Sequence, residues 1–171
     1  MKTCLSAQST LMLVMLVSTP PALAQSTSDT TAVKAILDNE VIAWNRGDAV
    51  AYSQDFAEEG TFTNIQGLFF TGHKVFMNRH DQIFKGVFNK TVLQMKVVSL
   101  RFVRPDVVVV ETLSQVSGFS PAGPPQGAHL DAKGRLFTRL SQVIVKGATA
   151  WKIASYHNVD VKPGILIPEA E

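Results

Sequence analysis

From Thr31 onward the apolar positions Val33, Leu37, Val41 and Trp44 recur every three or four residues, the spacing that gathers side chains on one face of an α-helix. The stripe predicts an amphipathic first helix ending near Arg46. Asn45-Arg46-Gly47-Asp48 then reads as a corner. Gly47 suits the left-handed backbone just past a helix end, and Asp48 can cap the free N–H groups of the next helix. Arg46-Gly47-Asp48 is also a cell-adhesion tripeptide, but such tripeptides belong on exposed loop tips. A shorter second helix is predicted over Ala49–Ala57, with Tyr52 and Phe56 one turn apart on one face and Glu58-Glu59-Gly60 as its stop.

The period then shortens. Thr61-Phe62-Thr63-Asn64-Ile65 alternates, Gln66-Gly67 turns, and Leu68-Phe69-Phe70 returns, which together read as a β-hairpin. Parity puts Asn64 with Phe62 on its inner face. A third helix is predicted over roughly His73–Lys85, with Phe76, Ile83, Phe84 and Val87 as its apolar face and His80 inside that face. Beyond it lie four long segments rich in Val, Ile, Leu and Thr: Val92–Val103, Val107–Val116, Arg135–Lys146 and Trp151–Val161. A long connection, Gly118–Gly134, separates the middle two and carries Pro121, Pro124 and Pro125. It is stiffer than a Gly/Ser linker of that length and could cap a pocket mouth, extend an interface or be a plain hairpin end. Helices early and a meandering sheet late predict an α+β layer arrangement. In the last strand Trp151, Ile153, Ser155, His157 and Val159 share one face, taken as inward, while Lys152, Ala154, Tyr156, Asn158 and Asp160 take the other.

Composition changes the picture at the N-terminus. Lys2, the apolar run Leu11–Val17 and Pro20-Pro21-Ala22-Leu23-Ala24 form the pattern of a secretory signal peptide. Cleavage after Ala24 and export, to a periplasm or the extracellular space, are expected. The apolar run is far shorter than the ~20 residues of a spanning helix, so no stable membrane anchor is expected. Removal leaves 147 of the 171 residues: a polar start over 25–30, one domain over 31–161 and a tail over 162–171. The only cysteine, Cys4, leaves with the signal, which excludes a thiol nucleophile and any disulfide. Without Lys2 the net charge of +2 becomes +1, and no basic patch suits nucleic acid. The expected partner is a small molecule or a protein.

Four stretches occur in order: Trp44-Asn-x-Gly-Asp48, Phe62-x-Asn64-x-x-Gly67, Gly72…His80…Phe84, and Trp151-Lys-Ile-Ala-Ser-Tyr-His-Asn158. Together they resemble the SgcJ/EcaC branch of the SnoaL-like proteins, over about residues 31–161. The resemblance implies the cone-like fold of nuclear transport factor 2, a curved mixed or antiparallel β-sheet wrapped around three N-terminal helices with a pocket at the open end. It also implies a homodimer formed through the sheet. The fold hosts isomerases, cyclases, dehydratases and binding modules, so it does not fix an activity. The branch carries an oxidoreductase label, yet no Gly-rich nucleotide motif follows any strand, and no cofactor is expected.

His80 and His157 are the candidates for acid–base chemistry, because histidine titrates near neutrality; each could equally be a core histidine paired to backbone. Pocket candidates are Tyr52, Phe56, Asn64, Phe84, Arg139 and Asn158. Asn64 could orient a ligand carbonyl or simply tie the hairpin, and Tyr52 could donate its hydroxyl or only pack. Glu111 and Arg139 could be a pocket pair or an outer-face ion pair, with Glu111 assigned to the outer face and both Arg139 and Arg101 left open. The four histidines include no i,i+4 pair and no acidic cluster has ligand spacing, so no metal is expected; no Gly-x-Ser-x-Gly elbow is present. Two functions stay open. One is an exported binding protein holding a small, largely apolar molecule. The other is an isomerase, dehydratase or cyclase using His80 and/or His157, with Asn64 orienting the substrate. No inward Asp or Glu is identifiable from the pattern to orient either histidine, which favours binding.

Overall fold

The computed structural model describes residues 27–165; the signal-peptide pattern and the end of the C-terminal tail lie outside them. Helix α1 (Thr27–Arg46) leads to α2 (Ala49–Ser53), then β1 (Phe56–Thr63), β2 (Phe69–Thr71) and α3 (His73–Lys85). Four long strands follow: β3 (Val92–Arg104), β4 (Val107–Ser117), β5 (Leu136–Lys146) and β6 (Trp151–Asp160). The six strands form one open, mixed sheet in the order β2-β1-β6-β5-β4-β3. All neighbours are antiparallel except β1 and β6, which run parallel. The helices pack in the concave side of this α+β cone, α1 against β3 and α3 against β1 and β2.

Helix α1 starts four residues before the apolar stripe does. Its polar first turn is held from outside: Asp29 Oδ1 accepts from Lys146 Nζ at 2.6 Å and from Trp151 Nε1 at 3.1 Å. At its other end the corner forms as its residues dictate. Gly47 has φ +67°, and the Asp48 side chain accepts a hydrogen bond from the Ala51 N–H at 3.0 Å.

Helix α2 is shorter than its sequence suggests, and Phe56 belongs to a strand. Once in β1, Phe56 pairs with Ile153 of β6 and stacks on Phe76 at 4.0 Å between ring centroids, burial that one more helical turn would forfeit. Gly60 is therefore no helix stop. A Cβ there would meet the Phe56 ring at 2.6 Å, so the glycine makes room for that ring.

The parity expected for β6 breaks at Ala154. Val143 pairs with Ser155 and Ile144 with Ile153, so Ala154 is an extra residue bulged out of the ladder. A bulge shifts the alternation by one residue. Trp151 and Ile153 face inward as expected, but beyond the bulge Tyr156 and Asp160 are buried and His157 is exposed.

Candidate functional site

The concave side of the sheet encloses a cavity of about 110 Å³. Trp44, Phe62, Ile83, Phe88, Met95 and Val116 supply apolar walls. Its polar lining comes from Tyr52, Asn64, Arg79, His80, Thr138 and Asn158, with Tyr156 and Ser114. Ligand sites in proteins commonly run to ~300–1,000 Å³, so a guest here is limited to about one ring or a short chain.

His80 sits on α3 with its ring 4.2 Å from that of Phe76 and 4.6 Å from that of Tyr52. Nδ1 lies 2.8 Å from the Phe76 carbonyl. A carbonyl can only accept, so Nδ1 carries the proton and Nε2 is left as an acceptor. Burial pushes the ring's pKa down to about 4, against the pull of the Phe76 carbonyl, and the nearby Arg79 charge adds to the fall. His80 is thus a neutral imidazole of fixed tautomer. Its orienting partner is backbone, with no carboxylate among its hydrogen bonds.

Tyr52 and Tyr156 meet hydroxyl to hydroxyl at 3.1 Å, both buried. Burial holds both well above the usual phenol range, with Glu40 adding to the rise in each; Tyr156 adds to that of Tyr52, while the hydrogen bond from Tyr52 partly offsets that of Tyr156. One proton joins the two oxygens and the other remains to be donated. Asn64 spends its Oδ1 on the turn, accepting from Gln66 N and Leu68 N at 3.0 Å each, so only its Nδ2 donors remain. Asn158 lines the cavity with Oδ1 buried and unpartnered, which leaves an acceptor for a guest.

Behind the tyrosines lies a carboxyl that the apolar pattern hides. Glu40 of α1 is buried at 2% exposure, and both its oxygens accept from Gln142 Nε2, at 2.9 and 3.1 Å. Burial pushes its pKa up to about 8, partly offset by those hydrogen bonds and furthered by Asp55. The signal was present in the spacing: Glu40 falls between Leu37 and Trp44, inside the buried stripe. It is an inward acid, contrary to the expectation of none, although it does not touch His80.

The other expected site residues divide. Tyr52, Asn64, His80 and Asn158 line one cavity. Phe56 and Phe84 are buried in the core behind it, Phe84 with its ring 5.0 Å from that of Trp44. Arg139 is on the outer face of β5, between the buried Thr138 and Leu140, so it is no cavity residue. His157, turned by the bulge, is outside as well. Glu111 pairs with Ser141 across that same outer face. Among the described residues no three or more His, Cys, Asp or Glu cluster as metal ligands, and no helix is long and apolar enough to cross a membrane.

A family model described as a SnoaL-like domain matches residues 33–158. No curated protein matches the sequence. Many solved structures share the fold. A domain of unknown function with a cystatin-like fold from Nostoc punctiforme superposes with a TM-score of 0.68 at 24% identity, over 82% of each chain. A ketosteroid isomerase-like protein from Erwinia carotovora atroseptica gives 0.62 at 14% identity, over 81% of this chain and 100% of its own. A type 2 hexachlorocyclohexane dehydrochlorinase gives 0.65 at 10% identity, over 81% of this chain and 96% of its own. At such identities the likeness is one of fold.

Proposed function

The chain belongs to the SnoaL-like domain family, and from that premise we propose that it is a binding protein for a small, largely apolar molecule bearing an acceptor oxygen. The observation that carries this reading is the make-up of the cavity. Aromatic and aliphatic walls favour a ring or short chain, and the free polar atoms combine donors, Asn64 Nδ2 and the spare tyrosine proton, with acceptors, His80 Nε2 and Asn158 Oδ1. Buried polar atoms lacking a partner cost ~1–3 kcal/mol each, so a guest whose own oxygen meets the free donors is favoured over a hydrocarbon.

A second reading is an isomerase, dehydratase or cyclase with His80 as the base and the Tyr52–Tyr156 pair steadying an oxyanion. The fixed tautomer of His80 speaks for it, as do the isomerase-like and dehydrochlorinase relatives by fold. Against it, a base held near pKa 4 is poorly matched to proton abstraction at neutral pH. We therefore keep binding first.

Our proposal also takes in the SgcJ/EcaC branch, on the four ordered motifs, and export, on the N-terminal Lys2, apolar run and Ala22-Leu23-Ala24. It includes a homodimer through the outer face of the sheet, where the half-buried Val109, Leu113 and Val143 and the exposed Val159 lie. Native mass spectrometry of protein purified from its own host tests the whole. A dimer mass starting at residue 25 and carrying a retained small molecule is expected. A ligand-free monomer that turns over an enolisable ketone would overturn the binding reading in favour of the enzyme.

A further inference from the structure

Helix α3 presents Arg79 and Ile83 to the cavity, and Val87 follows them from the turn just past its end. Arg79 and Ile83 lie one helical turn apart, so with Val87 beyond them the guanidinium heads an otherwise apolar wall. Arg79 is the one charged residue lining the cavity among the described residues. It is half-buried, and the ion pairs and hydrogen bonds of the described residues leave it without a partner. The nearest acid along α3, Asp81, is already held by Lys85 at 2.8 Å. A partly desolvated guanidinium with no carboxylate beside it is electrostatically uncompensated, and the nearby Asn64 adds uncommitted amide donors. Asn64 Nδ2 comes from the β1–β2 turn, and Gln66 lines the cavity from the same turn with its Nε2 already donated to the Gln126 carbonyl at 3.4 Å.

We infer that the preferred ligand is a small organic acid, with its carboxylate on Arg79 at the cavity edge and its apolar body between Trp44, Phe62 and Phe88. This deepens the binding reading above and rests on it. Arg79 is then the residue that sets specificity, because five fixed donors match the two oxygens of a carboxylate in a way a neutral amide cannot exploit. The small volume sets the rest of the class: one ring or a short chain, one acidic group.

The test compares benzoate with benzamide, which have the same outline and differ in charge. Isothermal titration calorimetry at pH 7.5 and low salt, on the mature protein, should give benzoate a Kd at least tenfold lower. In Arg79→Gln that preference should vanish, the two compounds binding alike. Arg79→Lys, which keeps the charge without the fork, should retain part of it. Raising the salt should weaken benzoate and leave benzamide unchanged, since only the former relies on exposed charge. Equal affinities in the wild type, or a preference that survives in Arg79→Gln, would overturn the assignment and leave the binding reading standing. Failure of both compounds to bind would overturn both.

Discussion

Glu40→Gln gives the sharpest test of how the interior beneath the cavity is built. In the folded protein burial raises this carboxyl to about 8, against an ordinary value of 4.5. Between those values the folded chain keeps a proton that the unfolded chain has released. The Glu40 contribution is therefore whole below pH 4.5 and is lost as the pH climbs to 8. Each pH unit in that window is worth about 1.4 kcal/mol, which bounds the full loss at roughly 5 kcal/mol. His80 has the opposite sign. Its folded value of about 4 lies below its ordinary 6.5, so its contribution is present above pH 6.5 and is lost as the pH falls to 4.

From pH 4.5 to 6.5 the two slopes cancel. From 6.5 to 8 only Glu40 remains, and the wild type should lose about 2 kcal/mol. In Glu40→Gln the decline should disappear, leaving stability that rises from pH 4 to 6.5 and then holds level. The variant should fold, because its amide can donate to Gln142 Oε1, which is buried and unpartnered. Urea unfolding followed by tryptophan fluorescence, at half-unit steps from pH 4 to 8.5 in both proteins, measures the difference. Parallel curves between pH 6.5 and 8 would refute the reasoning.

Other expectations follow from the same contacts. Asp48→Ala should cost about 0.5–2 kcal/mol by removing the N-cap of α2, read as a lower melting temperature; an unchanged one would mean the cap contributes nothing. His157→Ala should leave ligand affinity unaltered, because that ring lies on the outer face, whereas His80→Ala should weaken it; calorimetry on both separates the two histidines. Deletion of Ala154 should abolish cooperative unfolding. Without the bulge, either Trp151 and Ile153 or Tyr156 and Asp160 must turn outward, and a variant melting like the wild type would contradict the register.

Much of this was legible in the chain. The helical stripe of α1, the bounds of α3 and the four long strands follow from periodicity, since local burial and local spacing agree there. The Gly47–Asp48 corner was legible for the same reason, as both residues act within one turn of their own backbone. Legibility failed where a distant strand decided a local outcome. Phe56 reads as helix until Ile153 and Phe76 are there to take it into the sheet. His157 reads as inward because alternation cannot announce one bulged residue, and only pairing with β5 shows that Ala154 is skipped. The family resemblance reached the fold but could not correct that parity.

The sequence by itself determined the class of fold, the order of its elements and the absence of thiol chemistry after residue 24, because these depend on residue type and period. The tertiary structure decided which groups share the cavity. It brought Tyr52 from α2 onto Tyr156 from β6, 104 residues apart, and joined Glu40 to Gln142 across 102. It also left Arg79 unpaired at the edge. A side chain's type is written in the chain, but its solvation and its partners are set by whatever the fold packs against it, and those settle what the cavity can hold.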